Sequence, residues 1–191
     1  MAPPDSLFAS SRSHARPFNL SVMNPTSSLK QTALADLEQE LATTRRVLER
    51  VPDDRLDWKP HEKSFTLGAL ATHLANLVFY GIATLQGDEF DASAATPTKQ
   101  AESRDELIAG FDEKVVLLRE LLQAADDEAL TRSWSLLFGD RVIFTRPRVG
   151  VLRGMVINHI VHHRGQLSVY LRLLDVPVPS IYGPSADEPT F

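Results

Sequence analysis

Three of the six histidines fall within five residues, at positions 159, 162 and 163. His159 and His163 are four apart, so on a helix they stack on one face. At about 100° per residue, that face also carries Leu152, Val156, Gln166, Tyr170 and Leu174. The pair is therefore expected in the middle of an apolar stripe. Imidazoles aimed into a core must be hydrogen-bonded, charged at a cost, or bound to a metal. H-x-x-x-H is the spacing of paired metal ligands on one helix face. It is also the spacing of HExxH, but Ile160 stands where a zinc protease needs its glutamate, so that protease is not supported.

Two ligands on one helix need a third from elsewhere. His73 is the best candidate, on a different predicted helix and beside an apolar stripe. Alone, such a histidine is more often a satisfied core or interface residue; the pair is what raises the metal reading. His162 projects about 100° from His163 and is a poorer ligand. Arg164 points farther round and reads as solvated or salt-bridged. Gly165 inside a helix costs about 1 kcal/mol relative to Ala, which suggests close approach of another helix or subunit. Gln166 shares the histidine face and could orient a ligand or bound water; its plainer role is a buried hydrogen bond. Tyr170 is a possible proton donor, though such a tyrosine is more often core. No acid or base is fixed near the histidines, so no catalytic residue is assigned.

The rest of the chain limits what could join them. There is no cysteine, which excludes disulfides and thiolate ligands and leaves His, Asp or Glu for any metal. A net charge of −5 gives no general basic field, so no nucleic-acid partner is expected. The 191 residues, 43% hydrophobic and 24% charged, fit one globular domain. No apolar run approaches the ~18 residues of a membrane helix. Leu67 to Leu85 is interrupted by Thr72, His73 and Asn76 and reads as a buried helix, so no membrane partner is expected and the cytoplasm is the expected location. Residues 1–25 are rich in Ser, Pro and Arg without an apolar h-region, and read as a disordered leader ahead of a domain over 26–191.

Four amphipathic segments must position the histidines. The first begins near Pro25 to Ser28, with Asn24 or Thr26 as cap, carries Leu34, Leu37, Leu41, Val47 and Leu48, and stops before Pro52. The second runs from about Thr66 to Leu85, with Gly87 as a stop. The third opens on Ser103-Arg104-Asp105-Glu106, a capping box, and carries Leu107, Phe111, Val115, Leu118 and Leu122. Asp126 to Leu130 could add a short turn. The fourth is Leu152 to Leu174, ended before Pro177. Residues 88–102 read as loop, and 131–149, with Gly139-Asp140 inside, as a hairpin-like excursion. With no convincing sheet, the expected fold class is all-α, a four-helix bundle.

H-I-V-H-H-R-G-Q-L, from His159 to Leu167, resembles the signature helix of the DinB-like family, also described as DinB/YfiT-like metalloenzymes. Trp58-Lys59-Pro60 followed by S-F-T-L-G-A-L-A-T-H-L resembles that family's loop and second helix, and Y-G-P-S-A-D-E resembles its tail. The likeness covers residues 26–188. It implies a four-helix bundle of the DinB/YfiT-like type, often dimeric, holding a divalent metal, usually zinc or nickel, on three histidines. Those positions match His73, His159 and His163. Some relatives are metal-dependent transferases or isomerases working with small thiols.

Two functions follow as expectations. One is a metal-dependent enzyme, thiol S-transferase-like or hydrolase-like, acting on a small substrate as a homodimer. A divalent ion with an open position lowers the pKa of bound water or thiol. The other is a non-catalytic stress-response or dimerisation protein whose histidine cluster staples the bundle. A closed four-ligand site, or no pocket at the histidines, would favour the second. Residues 88–102 and 131–149 are expected to line the pocket.

Overall fold

Helix α1 (Leu29–Leu48) starts on a capping box. Ser28 Oγ accepts from the Gln31 N–H, and the Gln31 side chain accepts from the Ser28 N–H. The computed structural model describes residues 28–189. Asn24, Thr26 and the whole of the expected leader, residues 1–25, lie outside that range, and the observed cap is Ser28. Two more of the helix's free N–H groups, on Leu29 and Lys30, donate to the Asp127 carboxylate at 3.1 and 3.0 Å. The start of α1 is thus tied to a residue far along the chain.

Helix α2 (Leu67–Asn76) is capped by Thr66, whose side chain accepts from the Ala69 N–H. Its Leu67 and Gly68 N–H groups donate to the Trp58 and Leu56 carbonyls at 2.7 and 2.9 Å, which docks the polar 52–66 connection onto the helix. At Leu77 the ladder tightens to three-residue bonds, Leu77 to Leu74 and Tyr80 to Leu77. Helix α3 (Val78–Gln86) then continues to Gly87. The single helix expected over 66–85 is therefore two segments. Leu67–Gln86 has the length and apolarity of a membrane-crossing helix, but most of it is buried, and both segments pack against helix α4 (Arg104–Ala124).

Ser103 caps α4 as expected, accepting from the Glu106 N–H. The reciprocal half of the box differs: the Glu106 carboxylate accepts from the Glu102 N–H at 2.8 Å, one residue earlier than Ser103. A short helix α5 (Asp127–Thr131), capped by Asp126, follows.

The all-α expectation needs correction. A three-stranded sheet, ordered β1-β2-β3, sits among the helices: β1 (Glu89–Asp91), β2 (Ser133–Phe138) and β3 (Arg141–Pro147). β2 and β3 form the anticipated hairpin around Gly139, whose φ of 58° suits glycine. β1 lies in the 88–102 segment expected as loop. It pairs parallel to β2, Glu89 opposite Ser135, and three residues are too few to show alternation. The fold is mostly helical with this small sheet added.

The last helical stretch begins earlier than expected. Helix α6 (Arg148–Val151) runs into a π-helical stretch (Leu152–Asn158) and then α7 (His159–Leu173). Leu37 and Leu41 from α1, Leu70 and Leu74 from α2, Phe111, Leu118 and Leu122 from α4, and Ile160, Leu167 and Leu171 from α7 share one core.

Candidate metal centre

Helix α2 packs against α7, and this contact carries His73 to the histidine pair. The His73 ring lies 4.6 Å from the His163 ring and 5.4 Å from the His159 ring, and the His159 and His163 rings are 4.7 Å apart, centroid to centroid. One donor nitrogen from each of the three lies within 4.8 Å of the others. Among the described residues no fourth His, Asp or Glu joins the group. A zinc–nitrogen bond is about 2.0–2.1 Å, so donors this close fit a single ion after small side-chain adjustments.

The histidines do not occupy the middle of the apolar stripe. The most buried line on α7 is Ile160, Arg164, Leu167 and Leu171, with His163 buried beside it, while His159 and Tyr170 are half-buried and Gln166 is exposed. The cluster sits at the edge of that line, where α2 meets it. Two things displaced the expectation. The π-helical turns before His159 break the 100° phase on which it rested. Arg164, whose two readings are solvated or salt-bridged, is 1% exposed and takes the second.

Arg164 is salt-bridged inside the fold. Its Nη2 donates to Glu40 Oε2 at 2.6 Å and to the Tyr182 hydroxyl at 2.9 Å, and its Nη1 donates to the Glu40 carbonyl at 3.0 Å and Thr44 Oγ1 at 3.2 Å. The Tyr182 hydroxyl in turn donates to the Glu40 carboxylate at 2.9 Å. α1, α7 and the C-terminal tail are thereby clamped beside the histidines. Glu40 was not singled out from sequence, although it lies three after Leu37 and four before Thr44, on the buried side of α1.

All three imidazoles are held below their ordinary basicity. For His73 the cause is burial, then the charge of His163. His159 is pushed down to about 4 by burial and then by His163, His73 and His162, with the Met155 carbonyl opposing. His163 is lowered by burial, against a raising hydrogen bond from Gln166, with His162 adding a small lowering charge. At neutral pH all three are uncharged and present lone pairs, the state a metal ligand requires.

The neighbours divide clearly. Gln166 Oε1 lies 2.7 Å from His163 Nδ1, the orienting role considered from sequence. His162 is exposed and outside the cluster of donors. The Tyr170 hydroxyl donates to the Phe65 carbonyl at 3.3 Å and its ring packs edge-on against Trp58, so it anchors the 52–66 connection. The close approach expected at Gly165 is absent among the described residues of this chain: a Cβ there would meet nothing within 4 Å.

Two cavities reach the cluster at His73. One, of about 520 Å³, is bordered by Asn76, Phe79, Tyr80, Phe90 and Lys114. The other, of about 290 Å³, is bordered by Phe65, Asn76, Thr98 and Gln100. The 88–102 segment lines both, as expected, whereas 131–149 lines neither.

Comparison with known proteins agrees with this architecture. A sequence model of the DinB family matches residues 23–190. An uncharacterized Bacillus subtilis protein, YrdA, is 28% identical over 158 residues, covering 81% of this chain and 89% of its own length. The crystal structure of a DinB-like protein from Bacillus cereus superposes with a TM-score of 0.64 at 23% identity, covering 82% of this chain and 99% of that one. The DinB-like protein YjoA from Bacillus subtilis gives 0.60 at 17%, covering 76% and 95%.

Proposed function

The chain belongs to the DinB family, and from that premise we propose that it is a four-helix-bundle metalloenzyme whose His73, His159 and His163 hold one divalent cation, zinc or nickel. The observation that carries the reading is the convergence of three donor nitrogens within 4.8 Å from helices far apart in sequence. When bound, the ion supplies Lewis-acid chemistry, lowering the pKa of a thiol or water presented to it. Two reaction classes suit that chemistry: transfer of a small thiol to an electrophile, and hydrolysis.

The chain's own residues do the rest. Gln166 fixes the His163 proton on Nδ1, which leaves Nε2 as its donor atom. Burial keeps the three imidazoles unprotonated at neutral pH. His73 borders both cavities, so a small substrate in either meets the cluster at that ring. The Glu40–Arg164–Tyr182 clamp holds α7 in place beside them. A homodimer, as the family likeness implies, is part of this reading.

The competing role, a structural staple without catalysis, needs a closed site or no cavity. Three donors beside two cavities favour the enzyme. Elemental analysis of the purified protein tests the proposal. Near-stoichiometric zinc or nickel is expected in the wild type and its loss in His159→Ala. A wild type without metal after loading and desalting would sink it.

A further inference from the structure

The cavity of about 520 Å³ has a composition that selects its occupant. Its volume is that of a small-molecule site. One wall is aromatic. The rings of Phe79 and Phe90 meet edge-on at 5.3 Å and those of Tyr80 and Phe90 at 6.2 Å. These three rings come from α3 and β1, so the parallel pairing of β1 to β2 is what closes that wall.

The polar side of the cavity carries one permanent cation and no carboxylate. Lys114, from α4, is partly buried there. Its ammonium donates to the Gly110 carbonyl at 2.9 Å, its one hydrogen bond among the described residues. An ammonium has three donors, so two are left. Asn76 also borders the cavity, one helical turn after His73, and its amide has no hydrogen-bond partner among the described residues. A lysine with no ion-pair partner among the described residues, although Glu106 borders the adjoining cavity it shares with Asn76, a free amide and an aromatic wall are complementary to one kind of molecule. The anionic end would meet Lys114 and Asn76, and the apolar body would lie on Phe79, Tyr80 and Phe90.

We propose that this cavity binds a small carboxylate with an aromatic or alkyl body, its head received by Lys114 and Asn76 and its other end turned toward His73. The inference rests on the metalloprotein reading only in taking His73 as the reacting end. A singly charged carboxylate matches the donor supply better than a phosphate dianion, which would need more cations than one lysine.

Calorimetric titration with 4-phenylbutyrate and its neutral amide, 4-phenylbutanamide, separates the possibilities. It is run on the chelator-treated wild type and on His159→Ala, so that no ion competes for the carboxylate. The acid is expected to bind about ten- to a hundredfold tighter than the amide, the worth of one charge-assisted hydrogen bond. Lys114→Met, and Lys114→Gln as a more soluble replacement, are expected to remove that preference while leaving the amide's affinity unchanged. Phe90→Ala is expected to weaken both ligands together. Equal affinity for acid and amide, a preference that survives both lysine variants, or no binding of either ligand overturns the proposal. Metal content is read separately. A wild type that takes up no metal yet shows the lysine-dependent preference would refute the metal reading and uphold this one. Full metal occupancy without the preference would do the reverse.

Discussion

Gln166 Oε1 accepts the Nδ1 proton of His163 at 2.7 Å, three residues along the same helix. The amide oxygen is only an acceptor, so this contact decides which nitrogen of His163 keeps its lone pair. Such partners of metal-binding histidines typically contribute about 10- to 100-fold in metal affinity. Gln166→Leu is expected to weaken zinc binding by that order in a chelator competition. Because Gln166 is exposed, the urea midpoint of the metal-free protein should hardly move. Unchanged affinity would remove Gln166 from the site.

The cluster geometry separates His163 from its neighbour in sequence. His73→Ala and His163→Ala should each reduce bound metal to near zero after desalting. His162→Ala should retain it, because His162 is exposed and outside the set of converging donors. Metal-to-protein ratios by elemental analysis decide this, and loss of metal in His162→Ala would redraw the site.

Acid should destabilise the metal-free protein through these histidines. His159 is held at about 4 in the folded chain against 6.5 when free, mainly by burial, and His73 and His163 are lowered too. A folded-state value below the unfolded one means that the unfolded chain takes up the proton first as pH falls. Stability is therefore lost from about pH 6.5 down to about pH 4, and it is flat above neutrality as far as these groups are concerned. Urea midpoints at pH 7 and pH 5 should fall further in the wild type than in His159→Leu. Equal losses would show that His159 does not carry the effect.

The Glu40–Arg164 pair should behave as a buried ion pair. Arg164→Met leaves the Glu40 carboxylate inside the fold with only the Tyr182 hydroxyl, and removing one partner of such a pair costs about 3–5 kcal/mol. The double variant Arg164→Met/Glu40→Leu should recover most of that loss. Urea unfolding at neutral pH measures both. An Arg164→Met variant as stable as the wild type would mean that the pair does not clamp α1 to α7.

What was legible in the sequence was local. The capping serine of α4, the stop at Gly87, the hairpin turn at Gly139 and the four-residue spacing of His159 and His163 all depend on residues a few positions apart. What misled was phase and distance. A fixed 100° per residue cannot carry across the π-helical stretch Leu152–Asn158, so the histidines were set at the centre of a stripe whose edge they occupy. β1 has no pattern of its own, because its partner Ser135 lies far along the chain. Arg164 reads as solvated or salt-bridged, and the choice between the two rests on Glu40, which nothing near it in sequence announces.

By itself, the sequence determined the residue types available for chemistry: histidines in place of cysteines, two of them committed to one face by helical periodicity. It also nominated His73 as a third. Only the packing of α2 on α7 decided that His73 meets the pair, that Lys114 and Phe90 share its cavity, and that Arg164 turns inward. The physical reason is that helix periodicity fixes direction within a segment, whereas the meeting of segments depends on how apolar faces from distant parts of the chain bury one another.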